Sequence, residues 1–206
     1  MLSGPIIVVG LTVVASASLA ETLDRIAVSV GQEVITESRV ILDLRVAAFL
    51  DQKPVDLSAA ARRQSAARLV DQLLILREAV ESHVTLPSVE ATAGLVAPYA
   101  AESGYQANLK RYGISEADLG EHLLAGLRTL TFTDLRFRPD VQVSPEEIRS
   151  YYDKLPKSAA PAPSFEDSRE QIEKLLLEQK VLDALDQWLA MARTAAKINY
   201  RDKAFQ

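Results

Sequence analysis

Ser58-Ala-Ala-Ala-Arg-Arg-Gln-Ser-Ala-Ala-Arg-Leu-Val-Asp-Gln-Leu-Leu-Ile-Leu-Arg-Glu-Ala-Val80 is the stretch whose pattern decides the fold class. Ala66, Leu69, Leu73, Leu76 and Val80 recur at intervals of three and four, which lines side chains along one stripe of an α-helix. Arg62, Arg63, Arg68 and Glu78 fall mostly outside that stripe. Ser58 stands where a hydroxyl accepts a bond from the free amides of a first helical turn. The spacing predicts a long amphipathic helix whose stripe faces a core.

Upstream, Arg25-Ile-Ala-Val-Ser-Val-Gly-Gln-Glu-Val-Ile35 alternates β-branched and small residues around Gly31-Gln32, the signature of a short β-hairpin with a tight turn. Thr36 then caps a helix to about Leu50 with Val40, Leu44, Ala47 and Ala48 on one side, and Lys53-Pro54 ends it. Downstream, the chain restarts at Pro87-Ser88. Gly94 and Pro98 should break the segment through Tyr112 into two short or kinked helices. Gly113 stops that segment and Ser115 opens a second core helix, with Leu119, Leu123, Leu127, Leu130 and Phe137 on one face and an end before Pro139. Ser144-Pro-Glu-Glu147 is a capping box with proline at the first helical position, starting a short helix through Tyr151-Tyr152.

Leu155-Pro-Lys-Ser-Ala-Ala-Pro-Ala-Pro-Ser164 cannot continue a helix and reads as a linker of extended polyproline character. A long helix is expected from Ser164 to about Lys197. In its second half Leu177, Val181, Ala184, Leu185, Trp188, Ala192 and Ala195 form one stripe, whereas Phe165, Ile172, Leu175 and Leu176 point to nearly the opposite side. The two halves should touch different things. Ile198 to Phe205 is too short for another helix and is expected to return as an edge strand beside the hairpin.

Met1 to Ala20 contain no charged side chain and end in Ser16-Ala-Ser-Leu-Ala20, the small-residue pattern read by a signal peptidase. A signal peptide over 1–20 with cleavage after Ala20 is expected, since a membrane anchor needs roughly 20 apolar residues. The mature part, 21–206, is read as a single domain, with an N-terminal part 21–154, the linker 155–164 and a C-terminal helix and strand 165–206. It carries the whole net charge of −5, and its Lys and Arg are spread rather than gathered into a stripe that could follow phosphates. Nucleic acid is not an expected partner, nor is stable membrane insertion once the leader is removed. The absence of cysteine rules out a thiol-linked lipid anchor and any disulfide.

Chemistry-bearing patterns are sparse. The 206 residues include two histidines, and there is no glycine-rich phosphate loop, no His-Glu-x-x-His and no Gly-x-Ser-x-Gly elbow. His83 lies near Glu81 and His122 comes directly after Glu121, so each could pair with a carboxylate. Glu146-Glu147 and Glu166-Asp167 fall in first turns, where they favour the positive end of a helix dipole. Trp188, the sole tryptophan, sits on an apolar stripe as a core anchor. Catalytic, cofactor-binding and metal-binding residues are each expected to be none, and the peptide-binding residues stay unassigned.

The leader, the hairpin, Thr36-Glu-Ser-Arg-Val40, Arg68-Leu-Val-Asp-Gln-Leu-Leu-Ile-Leu-Arg-Glu-Ala79 and Ser144-Pro-Glu-Glu-Ile-Arg-Ser-Tyr-Tyr152 together resemble the N-terminal chaperone domain of the SurA/parvulin family. Phe165-Glu-Asp-Ser-Arg-Glu-Gln-Ile172, Ala184-Leu-Asp-Gln-Trp-Leu189 and Ala196-Lys-Ile198 look like the long helix and strand that complete that domain. The resemblance implies a mostly α, trigger-factor-like chaperone domain with a short N-terminal hairpin and a long C-terminal helix returning to it. It implies a periplasmic protein that binds unfolded outer-membrane or secreted polypeptides through an apolar helical surface, without ATP or any cofactor. In that family a parvulin prolyl isomerase domain usually stands where this chain has its linker, and about ten residues cannot form a domain. No isomerase activity is therefore expected. The alternative is a non-catalytic envelope assembly module that binds one folded partner, or a second copy, through the face-switched C-terminal helix.

Overall fold

The computed structural model describes residues 24–155 and 164–206. The expected leader and the interior of the linker lie outside the described residues. Strand β1 (Ile26–Val30) and strand β2 (Glu33–Thr36) form the hairpin, pairing Val30 with Glu33, Ser29 with Val34 and Val28 with Ile35. Gly31 turns the corner at φ +62°, a conformation glycine adopts without cost, and its N–H donates to the Lys197 carbonyl at 3.0 Å. Strand β3 (Ile198–Tyr200) pairs antiparallel with the other side of β1, giving the order β2-β1-β3. The last strand is shorter than expected: Asp202–Phe205 winds into a 3-10 turn, which carries Ala204 and Phe205 into the core beneath the sheet. The turn takes the Phe205 side chain, 2% exposed, out of water, which favours it over an exposed edge strand.

The described residues form seven α-helices, and the molecule is mostly helical. Helix α1 (Glu37–Leu50) starts where Thr36 Oγ1 accepts the Arg39 N–H, and α2 (Ala59–Glu81) where Ser58 Oγ accepts the Ala61 N–H. Helices α3 (Thr92–Ala100) and α4 (Tyr105–Tyr112) are the two expected short helices, but Gly94 and Pro98 both lie inside α3. Proline so near a helix end costs one bond, and the chain breaks instead at Gly104, φ +80°. Helices α5 (Glu116–Phe137), α6 (Pro145–Lys154) and α7 (Phe165–Ala195) each begin with a full capping box, at Ser115, Ser144 and Ser164.

Three apolar clusters hold these elements together. Val28, Val30, Val40, Ala66, Val70 and Phe205 join the sheet to α1 and α2. Phe49 gathers Tyr99, Tyr105 and Tyr112 around it, with ring centroids 5.8 to 6.4 Å apart. Ile75 and Ala79 of α2 meet Phe132, Phe137, Val181 and Leu185, where Trp188 stands 5.3 Å from Phe132 as the expected anchor.

Helix α7 changes its covered face midway, as its pattern requires. Val181, Leu185 and Leu189 face the third cluster, whereas Phe165 stacks edge-on against Tyr152 of α6 at 5.4 Å beneath Arg149. Arg193 clamps α7 to α2 through a two-pronged bond to Asp71 at 2.7 and 2.6 Å, and Lys180 reaches Glu147 of α6 at 2.7 Å. Ala195, expected on the stripe, is exposed at the last turn.

Two stripes are corrected. In α2, Leu76 is 37% and Val80 77% exposed, and in α5 Leu130 is 63% exposed while Phe132 and Thr133 are buried. Toward the C-terminal end of α2 the covered side rotates to Ile75 and Ala79, because α5 and α7 approach there rather than along the sheet side. Periodicity marks an apolar stripe without saying which neighbours cover it.

Candidate functional site: a groove at the outer strand

Leaving Leu76 uncovered opens a groove of about 390 Å³ between β2, α2 and α5. Its walls include all four residues of β2, from Glu33 to Thr36. Successive residues of a strand point to opposite sides, so a wall made of four in a row is the backbone edge rather than one face. Leu69, Leu73 and Leu76 of α2 supply the apolar side, and Ala125, Arg128 and Thr129 of α5 stand opposite. Val34, 53% exposed, marks the rim.

Charges frame the groove and most are paired. Arg39 of α1 bonds Glu121 of α5 at 2.9 Å, and Arg77 bonds Glu33 at 2.9 Å while also reaching the Val30 carbonyl at 2.6 Å. Arg128 makes no ion pair among the described residues; its Nε donates to the Pro87 carbonyl at 2.8 Å. A second hollow of about 660 Å³ runs between α3 and α5 over Val89, Thr92, Val96 and Leu124, and it shares Glu121 and Arg128 with the first.

Below the groove lies a buried polar cluster. Asp43 of α1, 5% exposed, accepts from Ser65 Oγ at 2.6 Å and from Arg68 at 2.7 Å, with His122 Nδ1 at 3.2 Å. Burial pushes the Asp43 carboxyl up, but the His122 and Ser65 hydrogen bonds and the Arg68 charge outweigh it and hold the carboxyl below its ordinary range. Ser65 and His122 both bond the same carboxylate rather than each other, and Ser65 is fully buried, so this trio is not arranged as a nucleophile and its base. Its geometric effect is to tie α1, α2 and α5 together directly under the groove, since Arg39, Leu69, Gln72 and Ala125 border both spaces.

The structure redistributes the residues that sequence singles out. His122 does pair with a carboxylate, but with Asp43, while its neighbour Glu121 turns to Arg39. His83 sits exposed at φ +58°, and its Nδ1 lies 3.2 Å from the Glu81 carbonyl rather than from its carboxylate. Glu147 and Asp167 cap their helices as expected. Asp43 escapes a reading by motif, although an acid between Val40 and Leu44 on a stripe of α1 is a signal that a partner must exist. The groove itself has no sequence signal, because its apolar side reads as core.

Among the described residues no cluster of His, Cys, Asp and Glu could hold a metal ion, and no helix is long and apolar enough to cross a membrane. No protein-family model matches the chain, and no curated protein matches it significantly.

Proposed function

We propose that this protein is an ATP-independent holding chaperone of the SurA type, which binds unfolded outer-membrane or secreted polypeptides in the periplasm. The observation that carries the reading is a row of large apolar side chains left open to a groove, Val34 at 53% and Leu76 at 37% exposure with the half-buried Leu73 between them, set beside the outer edge of a strand. A protein that leaves such a row in a concave surface has a place for another apolar chain. The resemblance of the capped helices and of the long C-terminal helix to the SurA chaperone domain supports the same reading. The small-residue end of the leader, Ser16 to Ala20, supports export. The interval occupied in that family by the isomerase domain is here the short run from Leu155 to Ser164, so the proposal is of holding without prolyl isomerisation.

The test is direct. Purified protein, added at stoichiometric ratio and without nucleotide, is expected to suppress the light scattering of a urea-diluted outer-membrane β-barrel protein. Unchanged scattering at several-fold excess would reject the proposal.

A further inference from the structure

The hairpin register assigns a direction to the backbone groups of β2. In an antiparallel ladder the bonded and non-bonded pairs alternate, so neighbouring residues of one strand send their N–H and C=O groups to opposite edges. On β1, the Ala27 carbonyl accepts from Arg201 N–H at 2.8 Å and the Gly31 N–H donates to the Lys197 carbonyl at 3.0 Å, so residues 27, 29 and 31 face β3. Val28 and Val30 therefore face β2, and they are paired with Ile35 and Glu33. Val34, opposite Ser29, is left with both its N–H and its C=O pointing away from the sheet. Among the described residues no strand lies on that side, and the groove opens there.

We propose that a client binds by strand addition. An extended segment of an unfolded polypeptide pairs with Val34 N–H and C=O, lays alternate apolar side chains against Leu73 and Leu76, and sets a carboxylate against Arg128. This deepens the holding function and rests on it. Two observations select this occupant. The exposed polar groups of an edge strand recognise any backbone in extended geometry, independent of sequence, while the leucines reward apolar residues at every second position. In the groove beside β2, Glu33 and Glu121 each have an arginine partner and Arg128 has no carboxylate among the described residues, which favours an acidic residue in the segment over a basic one.

The experiment uses a fluorescein-labelled eight-residue peptide of alternating Val and Thr with one Asp, titrated into the full protein and followed by anisotropy. Val34→Pro removes the outward N–H while leaving the bonds to β1, which Val34 does not make. It should bind the peptide at least ten-fold more weakly than Val34→Ala, which keeps the amide. Equal binding by the two variants overturns strand addition while leaving the holding function standing. Because a proline could disturb the hairpin, a second probe leaves the protein untouched. Peptides N-methylated at single positions should lose affinity at alternate positions only, and the Val34 amide of the wild-type protein should exchange with deuterium more slowly when the unmethylated peptide is bound. Uniform tolerance of methylation with unchanged exchange overturns the inference. A peptide with Lys in place of Asp should bind several-fold more weakly, and equal binding overturns the role given to Arg128. If the wild type binds no peptide but forms a dimer that Val34→Pro dissociates, a second copy occupies the edge and the inference fails. If denatured clients also go unprotected in the scattering assay, the holding function fails with it.

Discussion

Helix α2 presents two apolar sides that composition does not distinguish and that the structure uses in opposite ways. One side, through Ala66, Val70, Leu74, Ile75 and Ala79, is buried in two clusters and carries Ser65 to the Asp43 carboxylate. The other starts at Leu73, half-buried against the first cluster, and runs through Leu76 and Val80 out into the groove and beyond it. Burying a leucine-sized side chain contributes about 2 kcal/mol, so leaving several at a surface forgoes stability that a purely structural helix would take. The difference teaches that stability and the proposed client binding would draw on adjacent sides of one helix and could be altered separately.

The largest effect should come from the polar anchor under the buried side. Asp43→Ala leaves Arg68 and Ser65 without their shared acceptor and is expected to lower the unfolding free energy by about 3 kcal/mol in urea titrations. The pH dependence sharpens the point. Because the folded carboxyl is held below its unfolded value of about 3.9, its contribution is complete above that pH and is lost as pH falls through the folded value. Asp43→Asn should therefore flatten the acid limb of a stability profile below about pH 4; an unchanged limb would assign the acid sensitivity to other carboxylates.

Ile75→Ala, at a side chain 2% exposed against Phe132, should cost slightly less, about 2 to 3 kcal/mol by the same titration. Ser58→Ala removes the cap common to both sides and should cost about 1 kcal/mol, with no change in client holding. The smallest stability effect belongs to the groove side. Leu76→Ser should stay within about 0.5 kcal/mol of wild type while reducing suppression of client aggregation. A Leu76→Ser protein that is strongly destabilised and still holds clients would invert the comparison.

Much of the fold is legible in the chain because its signals are local. Thr36, Ser58, Ser115, Ser144 and Ser164 each satisfy first-turn amides within three residues, so helix starts can be read without knowing any neighbour. The turn at Gly31 and the face switch of α7 are legible for the same reason. Pro98 misleads because its penalty depends on where the helix ends, which packing around Val96 and Phe49 decides. The candidate site is hardly legible at all. Leu69, Leu73, Leu76 and Val80 form one sequence stripe, and only the rotated approach of α5 and α7 separates its covered part from its open part.

The sequence by itself determined the helical class, the hairpin, five of the seven α-helix starts among the described residues and the two-faced character of α7, since these depend on capping, turn geometry and periodicity over a few residues. Only the tertiary structure decided that Asp43 gathers Ser65, Arg68 and His122, that β2 is an outer strand among the described residues, and that its edge meets Leu73 and the half-open Leu76 of α2. Those arrangements join residues far apart in the chain, and the physical reason they escape a sequence reading is that burial is a property of neighbours, not of spacing.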